Sequence, residues 1–307
     1  MNQKIIIPVP FALSTYGINP ADTYKEILGV KMANPIQSEV YSSNQFQQNC
    51  LIKPAIKFDT LPDTMPDIGG FIESAHTMQV NLSQTISSDF DSSNQYFIIG
   101  GDHTISVGTG LGLSKHLDMT KVGLIWVDAH GDCNTPETSQ SKCITGYPVA
   151  VNTGLGPSIL TDPFASNFIQ HVAYIGIRDL DMKEAENIKK IGASIYSAID
   201  IESIGIAQVV KQAMDSMKGC THIWLSIDID SLDSSYFEPG ETDVPVSGGL
   251  NPRELLYITS TVQNSGKLLV TELTQLNNLG HFSPLVALGS RIGELALGLG
   301  GFRYGLE

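Results

Sequence analysis

The sequence is poor in positive charge. Its 307 residues include 18 lysines and arginines against 32 aspartates and glutamates, which gives a formal net charge of −14. A nucleic-acid-binding protein needs a basic surface to meet phosphates, so this balance argues against a nucleic-acid partner. The sequence also lacks an apolar stretch long enough to span a bilayer, which argues against a membrane protein. The apolar run within residues 1–8 is too short for a signal peptide and is typical of a first strand.

Cysteine is scarce as well. The four cysteines, Cys50, Cys133, Cys143 and Cys220, have no paired spacing, so the sequence suggests neither a disulfide framework nor a zinc motif. Free thiols in a reducing cytoplasm are the expectation, and the cytoplasm is the predicted location. Cys133 and Cys143 lie near a group of acidic residues and histidines. We interpret them as space-filling residues, because the neighbouring candidate ligands are oxygen and imidazole.

Short apolar runs alternate with helical patterns along the chain. We predict strands at 5–8, 97–100, 122–127, 172–177, 193–196, 223–229 and 268–273. We predict helices at 21–30, within 63–88, and at 105–116, 182–191, 203–217, 251–264 and 284–297. The runs at 122–127 and 223–229 are typical of strands buried on both faces of a parallel sheet. The pattern therefore predicts a single α/β domain over residues 1–307, a three-layer α/β/α sandwich with a mostly parallel sheet.

Three of these strands end in ionisable side chains. The segments are 100–103, 128–132 and 228–230, and their potential metal ligands are His103, Asp128, His130, Asp132, Asp228 and Asp230. Ligands of an open parallel sheet collect at the carboxyl ends of its strands, so we expect these side chains to meet at one edge. Within two of the segments the acidic residues and histidines are two positions apart, so on an extended backbone they would face the same side.

The number and type of these side chains suggest two ions. Four carboxylates and two imidazoles are about what two neighbouring divalent ions need when one or two carboxylates bridge them. A lone Asp-x-Asp is usually a solvated strand end or a helix cap, but so many carboxylates converging without a cation would repel one another. The sequence therefore predicts a dinuclear hydrolytic centre. Oxygen and nitrogen ligands admit manganese, nickel, cobalt or zinc.

The three segments resemble the ureohydrolase family, which includes arginase, agmatinase and formimidoylglutamase. The resemblance runs from about residue 100 to 272 and implies an α/β/α fold with a parallel eight-stranded sheet and two Mn²⁺ ions. One ion would be held by His103, Asp128, Asp132 and Asp228. The other would be held by Asp128, His130, Asp228 and Asp230, with Asp128 and Asp228 bridging. A small guanidino substrate and a homo-oligomer, a trimer or a hexamer, are also implied.

Within the family, the sequence is most similar to arginase. Segment 132–141 resembles the loop whose neutral donors receive the α-carboxylate of the substrate, and segment 178–181 resembles the stretch that faces its α-amine. The implied substrate contacts are Asn134, Ser139 and Ser141 for the carboxylate, Asp181 and Glu184 for the amine, and Glu272 for the guanidinium. Asp132 and Glu272 are the implied catalytic residues: Asp132 would pass a proton to the departing amine, and Glu272 would orient the guanidinium.

The sequence also departs from the arginase pattern. Thr145 stands where arginases have a histidine credited with moving protons, and Cys143 stands where they have a substrate-binding asparagine. Because threonine has no useful pKa near neutrality, we expect a slow enzyme or a different proton route. His281 is a possible substitute for the histidine, with a surface loop histidine as the alternative. Lys142 is either a partner for the substrate carboxylate or an exposed loop lysine.

Three functions remain open at this stage. The first is an arginase-type hydrolase that converts L-arginine or a close analogue to urea and an amine. The second is a ureohydrolase for agmatine, guanidinobutyrate, formimidoylglutamate or a related compound. The third is a metal-binding family member with little activity. Asp181 separates the first two, because a partner for an α-amine has no purpose if the substrate has no amino-acid head.

Overall fold

The computed structural model describes residues 2–12, 40, 42–56, 68–238, 241–242, 244–276 and 283–300. The helix predicted at 21–30 and the candidate residue His281 lie outside the described residues. Within the described ranges, no helix has the length and apolar character needed to cross a bilayer.

Eight parallel strands form the sheet. They are β1 Lys4–Val9, β2 Leu51–Ile52, β3 Gln95–Gly100, β4 Val122–Val127, β5 His171–Ile177, β6 Ser194–Ser197, β7 His222–Asp228 and β8 Leu268–Thr274. Their order in the sheet is β2-β1-β3-β8-β7-β4-β5-β6. The predicted parallel sheet is confirmed, and the short β2 completes the eight strands that the family resemblance implies.

Helices cover both faces of this sheet. They are Asn44–Asn49, Ile68–Ser88, Ser106–Ser114, Pro148–Asn152, Ser158–Thr161, Met182–Lys190, Ala198–Ile204, Ile206–Ser216, Pro252–Asn264 and Pro284–Ala296. All six residues of β4 are buried, and they alternate between two cores. Leu124 and Trp126 pack into one core, whereas Ile125 and Val127 pack into the other. The three-layer α/β/α prediction is therefore confirmed.

One predicted helix is divided in two. The pattern over 203–217 corresponds to the end of Ala198–Ile204 followed by Ile206–Ser216. Gly205 lies between them with a φ of 79°, a conformation that glycine adopts readily and that ends a right-handed helix. The helical pattern continues through this residue in the sequence, so periodicity alone did not reveal the break.

The strand order brings the predicted ligand segments together. Strands β3, β8, β7 and β4 are consecutive neighbours in the sheet. His103 follows β3, Asp228 ends β7 and Asp128 follows β4, so all three lie at the same carboxyl edge. Strand β8 lies between β3 and β7, and the first residue after it must emerge among these clusters.

The first prediction concerns the helix Ser106–Ser114, which packs closely on Pro148–Asn152. A Cβ atom at Gly110 would lie 1.6 Å from Oδ1 of Asn152, whose Nδ2 donates hydrogen bonds to the carbonyls of Ser106 and Pro148. We expect Gly110→Ala to lower the free energy of unfolding by about 1–3 kcal/mol in urea denaturation. Gly219→Ala is the control, because nothing lies within 4 Å of its added Cβ; its change should stay within about 0.5 kcal/mol. Equal effects would contradict the close-packing argument.

Candidate metal centre and substrate pocket

The first group of predicted ligands surrounds the imidazole of His103. Its Nδ1 atom lies 3.0 Å from Oδ2 of Asp128, 3.0 Å from Oδ2 of Asp228 and 3.4 Å from Oδ2 of Asp132. The imidazole is fully buried, and so are the three carboxylates. His103, Asp128 and Asp228 are close enough together to hold one metal ion.

The second group lies beside the first and shares a residue with it. Nδ1 of His130 is 3.1 Å from Oδ2 of Asp230 and 3.5 Å from Oδ1 of Asp128. These three side chains also satisfy the distances of a metal site. Asp128 belongs to both groups, which is the position that a bridging ligand needs. By proximity Asp228 belongs to the first group only, so of the two predicted bridges the geometry favours Asp128.

The electrostatics of this cluster favour a bound cation. Burial, and after it the charge of a neighbouring aspartate, raises the pKa of Asp132, Asp228 and Asp230 above its usual range. Burial lowers the pKa of His130, but the charges of Asp230 and Asp128 outweigh it and raise the value to about 12. Without a metal, the carboxylates therefore compete for protons; divalent ions would satisfy the same negative charge.

A hydrogen-bonded chain beneath the cluster fixes the tautomer of His103. Ser226 Oγ lies 2.9 Å from His103 Nε2 and donates its hydrogen to Glu272 Oε2 at 2.7 Å. A hydroxyl has one hydrogen, so it accepts from the histidine, and the proton of His103 is on Nε2. The lone pair of Nδ1 then points at three carboxylate oxygens, and this buried atom makes no hydrogen bond. Such an orphaned nitrogen fits a metal ligand whose orientation an outer partner sets.

Glu272 lies beneath the pocket, not in it. Its side chain is fully buried and accepts hydrogen bonds from Trp224 Nε1, Ser106 Oγ, Thr109 Oγ1 and Ser226 Oγ at distances of 2.5–2.9 Å. It is absent from the lining of the pocket. Its predicted roles in holding the guanidinium and in catalysis stay predictions. β8 continues to residue 274, so residue 272 is still inside the sheet.

Uncharged donors and one arginine hold the ligands in place. Trp126 Nε1 donates to Asp128 Oδ2 at 2.9 Å, and its ring stacks on His103 with centroids 3.8 Å apart. The guanidinium of Arg178 donates to the carbonyls of Asp230, Ser231 and Leu232 at 2.8–3.2 Å. These bonds go to carbonyls, so Arg178 fixes the turn after β7.

A pocket of about 350 Å³ opens onto this cluster, a size suited to a small molecule. Its lining residues are His130, Asp132, Asn134, Ser141, Cys143, Thr145, Gly146, Asp179, Asp181, Glu184, Asp228, Asp230, Val244 and Gln275. Among these described lining residues there is no lysine or arginine, whereas six are acidic. The pocket therefore attracts positively charged groups.

Four of the residues predicted to contact the amino-acid head group line this pocket: Asn134, Ser141, Asp181 and Glu184. Asn134 Nδ2 lies 3.4 Å from Asp181 Oδ2, so a neutral donor and an acid stand side by side. Glu184 accepts hydrogen bonds from the backbone N–H groups of Cys133 and Asp181, and burial raises its pKa to about 7. Of the two predicted serines, Ser141 lines the pocket, whereas Ser139 does not.

Ser139 supports the pocket loop from behind. It is buried and its Oγ accepts the backbone N–H of Lys142 at 3.0 Å. The Lys142 ammonium donates to the carbonyl of Pro136, and its side chain is exposed. The loop-lysine interpretation of Lys142 therefore fits the structure better than a partner for the substrate carboxylate.

The two residues that depart from the arginase pattern both line the pocket. Cys143 Sγ and Thr145 Oγ1 are 3.0 Å apart. Burial raises the pKa of the Cys143 thiol to about 11. Neither side chain therefore gains or loses a proton near neutral pH.

Gln275 is a pocket residue that the sequence analysis missed. It directly follows β8, lines the pocket and is buried, with 8% of its surface exposed. The rule applied to the other strands, that residues just past a carboxyl end face the site, would have found it. It was overlooked because a glutamine has no charge to mark it.

Comparisons with known proteins agree with this geometry. The model of the arginase family matches residues 37–280. The arginase of Bacillus subtilis (strain 168) is 33% identical over 221 residues, which cover 71% of this chain and 71% of that protein. The chain belongs to the arginase family. The arginase of Staphylococcus aureus (strain COL) is 31% identical over 256 residues, 82% of this chain and 81% of that protein.

Arginase-family structures share the whole fold. The crystal structure of Entamoeba histolytica arginase in complex with L-ornithine superposes with a TM-score of 0.81 at 25% identity, and covers 97% of this chain and 98% of that one. Arginase-family proteins are binuclear metal-dependent hydrolases that act on guanidino C–N bonds, and this chain is a hydrolase of that class.

The second prediction is that Mn²⁺ stabilises the protein, because it relieves repulsion among the buried carboxylates. At 100 times its dissociation constant, an ion that binds only the folded state adds about 2.7 kcal/mol. We expect Mn²⁺ to raise the melting temperature, a chelator to reverse the rise, and Asp128→Asn to abolish it. Asp118→Asn is the control, since Asp118 is an exposed helix cap whose loss leaves the cluster intact. A rise that survives in Asp128→Asn would place the ion elsewhere.

The third prediction tests the chain from Glu272 to His103. Ser226→Ala leaves His103 Nε2 without its acceptor, so the imidazole loses its fixed orientation. We expect Mn²⁺ affinity, measured by isothermal titration calorimetry, to fall about 10–100-fold. Ser203→Ala, which removes an exposed serine hydroxyl from an outer helix, is the control and should bind Mn²⁺ like the unmodified protein. Unchanged affinity in Ser226→Ala would show that the hydroxyl does not position the ligand.

Proposed function

We propose that this protein hydrolyses the guanidino group of L-arginine or a close analogue, releasing urea and an amine. The observation that carries the proposal is a pocket that opens onto the six-residue metal-type cluster and is also lined by an acid and an amide suited to an amino-acid head group. That acid and amide are Asp181 and Asn134, whose side chains are 3.4 Å apart. The family relationship and the arginase relatives support the same reaction.

The charges in the pocket suit the charges of arginine. Arginine carries two cations, the guanidinium and the α-ammonium, and one anion. All three of Asp181, Asn134 and Ser141 line the pocket. We assign Asp181 to the ammonium, and Asn134 and Ser141, as uncharged donors, to the carboxylate. No lysine or arginine is found among the described residues that line the pocket. The carboxylate of the substrate therefore has to bind neutral donors such as these.

Two metal ions, which we expect to be Mn²⁺, would be held by His103, Asp128, His130, Asp132, Asp228 and Asp230. When bound, the ions would lower the pKa of water toward neutrality and so supply hydroxide for the reaction. In the overall reaction water adds to the guanidinium carbon, the C–N bond to the side chain breaks, and the leaving amine takes up a proton. Asp132 lines the pocket within the cluster and is the group we assign to carry that proton.

Proton transfer is the step of the reaction for which this site lacks the histidine found in arginases. Thr145 and Cys143 offer no group that titrates near pH 7, since the pKa of the thiol is about 11. A missing general acid or base typically costs about 10²–10⁴-fold in rate. We therefore expect slow turnover together with intact metal binding.

A second candidate function is hydrolysis of another guanidino or formimidoyl compound by the same centre. The observation that favours it is that two departures from the arginase pattern, Cys143 and Thr145, face the pocket directly. In both cases we expect a cytoplasmic homo-oligomer, a trimer or hexamer.

A urea-release screen of purified, manganese-loaded protein tests the proposal. The panel is L-arginine, agmatine and 4-guanidinobutyrate, with ammonia or formamide release measured from formimidoylglutamate. Highest kcat/KM for L-arginine is the expected result. Higher kcat/KM for another compound would favour the second candidate, and no release from any compound would contradict both.

The fourth prediction is that removing the charge of Asp181 selectively weakens the binding of substrates that carry an α-amine. Asp181→Asn preserves the size of this residue, which begins the helix Met182–Lys190. A hydrogen bond to a charged group is worth about 1.5–3 kcal/mol, so KM for L-arginine should rise about 10–100-fold. KM for 4-guanidinobutyrate, which has no amine, should change little. Glu186→Ala, which removes an exposed acid from the same helix, is the control. Equal effects on both substrates would argue against an ammonium partner.

A further inference from the structure

The side chain of Gln275 lines the pocket and is buried. Its Oε1 atom is buried and makes no hydrogen bond. A buried amide oxygen without a partner has lost its hydrogen bonds to water and gained none in return, so natural structures rarely leave one unpaired. The same pocket is lined by the candidate ligands Asp228, Asp230 and His130. An amide in this position is available to a ligand of the metal centre.

The backbone of Gln275 is held in a strained conformation that supports this role. Its φ is 63°, in the left-handed region that residues other than glycine rarely adopt. The backbone N–H donates to the carbonyl of Gly101 at 2.7 Å, which ties the end of β8 to the end of β3. Asp132, another lining residue, has a φ of 46°. Strain of this kind is typical of functional sites, where the surrounding structure holds it in place.

The chemistry of an amide differs from that of an acid at this position. A guanidinium offers N–H donors only and has no acceptor. The Gln275 amide presents one acceptor and one NH₂ donor group, whichever way its oxygen and nitrogen are assigned. Its oxygen can pair with a guanidinium, but its NH₂ group then faces further donors. A neutral group with a carbonyl beside an N–H, such as a ureido group, pairs with both ends.

We propose that Gln275 is a specificity-determining residue that contacts the reacting group, and that its amide shifts the preference of the pocket from cationic guanidino groups toward neutral ureido-type groups. The proposal rests on the proposed function for the location of the reacting group. The ligand would then accept or donate the hydrogen bond that the buried amide of Gln275 lacks within the protein. Contact with a ligand is also a reason for an uncharged side chain to line the pocket on a strained backbone.

Binding of two probes of nearly equal shape tests this inference. L-Arginine carries the guanidinium, and L-citrulline carries a ureido group in its place. Isothermal titration calorimetry of manganese-loaded protein gives the ratio of their dissociation constants. We expect Gln275→Glu, which is isosteric and adds a negative charge, to shift this ratio at least ten-fold in favour of L-arginine. Where turnover is measurable, kcat/KM for L-arginine should rise as well.

Two further variants complete the design. Gln208→Glu makes the same change on the exposed outer helix Ile206–Ser216 and should leave the ratio unaltered. Gln275→Asn shortens the side chain and withdraws the amide from the reacting group, so L-citrulline should lose more affinity than L-arginine and the ratio should shift toward L-arginine. It also provides a second folded variant if Gln275→Glu loses its melting transition.

The possible failures are distinguishable. An unchanged ratio in Gln275→Glu, with Mn²⁺ bound and the fold intact, would overturn the role of Gln275. An unchanged ratio in Gln275→Asn would overturn it as well, because the amide would not be in contact with the reacting group. A large shift in Gln208→Glu would also overturn it, because the added charge alone would then be the cause. If the unmodified protein releases urea from no guanidino compound, the proposed function fails, but the ratio of probe affinities still decides the role of Gln275.

Discussion

Four aspartate carboxylates meet below the protein surface at the carboxyl edge of the sheet, and their mutual repulsion is the constraint on which the site depends. Isolated buried charges are expensive, and they persist in proteins when they are paired or coordinate a metal. Here a neutral group, the Trp126 indole, donates a hydrogen bond to Asp128. Arg178 lies nearby, but its guanidinium donates hydrogen bonds to backbone carbonyls. Among the described ion pairs, the side chains that face these carboxylates are the imidazoles of His103 and His130. The fold thus leaves negative charge for ions to neutralise.

The rigid part of the site and its adaptable part have different origins. Ser226 and Glu272 lie inside β7 and β8, and they orient His103 through the interior of the sheet. Side chains on packed strands have little freedom to move, which suits a metal ligand that must keep its geometry. Asn134 and Asp181 lie on the connections that follow β4 and β5, where loops tolerate change. One metal-binding framework can therefore serve different substrates through changes in its loops.

The sequence was sufficient for the sheet and for the six clustered side chains, because both depend on local patterns. Apolar runs mark buried strands, and charged residues directly after such runs must lie at the carboxyl edge. The two-residue strand β2 carries no such pattern, and its pairing with β1 depends on tertiary contacts. The position of Glu272 relative to the pocket depends on where β8 ends, which the composition of the strand does not define. Because the strand continues to residue 274, Glu272 pairs in register with Ser226 beneath the pocket, and Gln275 is the first residue to leave the sheet.

The position of β8 explains why this last residue has more influence than its neutral side chain suggests. β8 lies between β3 and β7, whose ends supply His103 and Asp228, so a side chain leaving β8 points into the gap between two ligand segments. The acids around the pocket attract cations from a distance, but they do not distinguish one hydrogen-bonding pattern of the reacting group from another. That distinction requires directional hydrogen bonds at short range, and Gln275 offers an unpaired amide there. Attraction and discrimination are thus separated within one pocket: the carboxylates provide the first, and the residue after β8 provides the second.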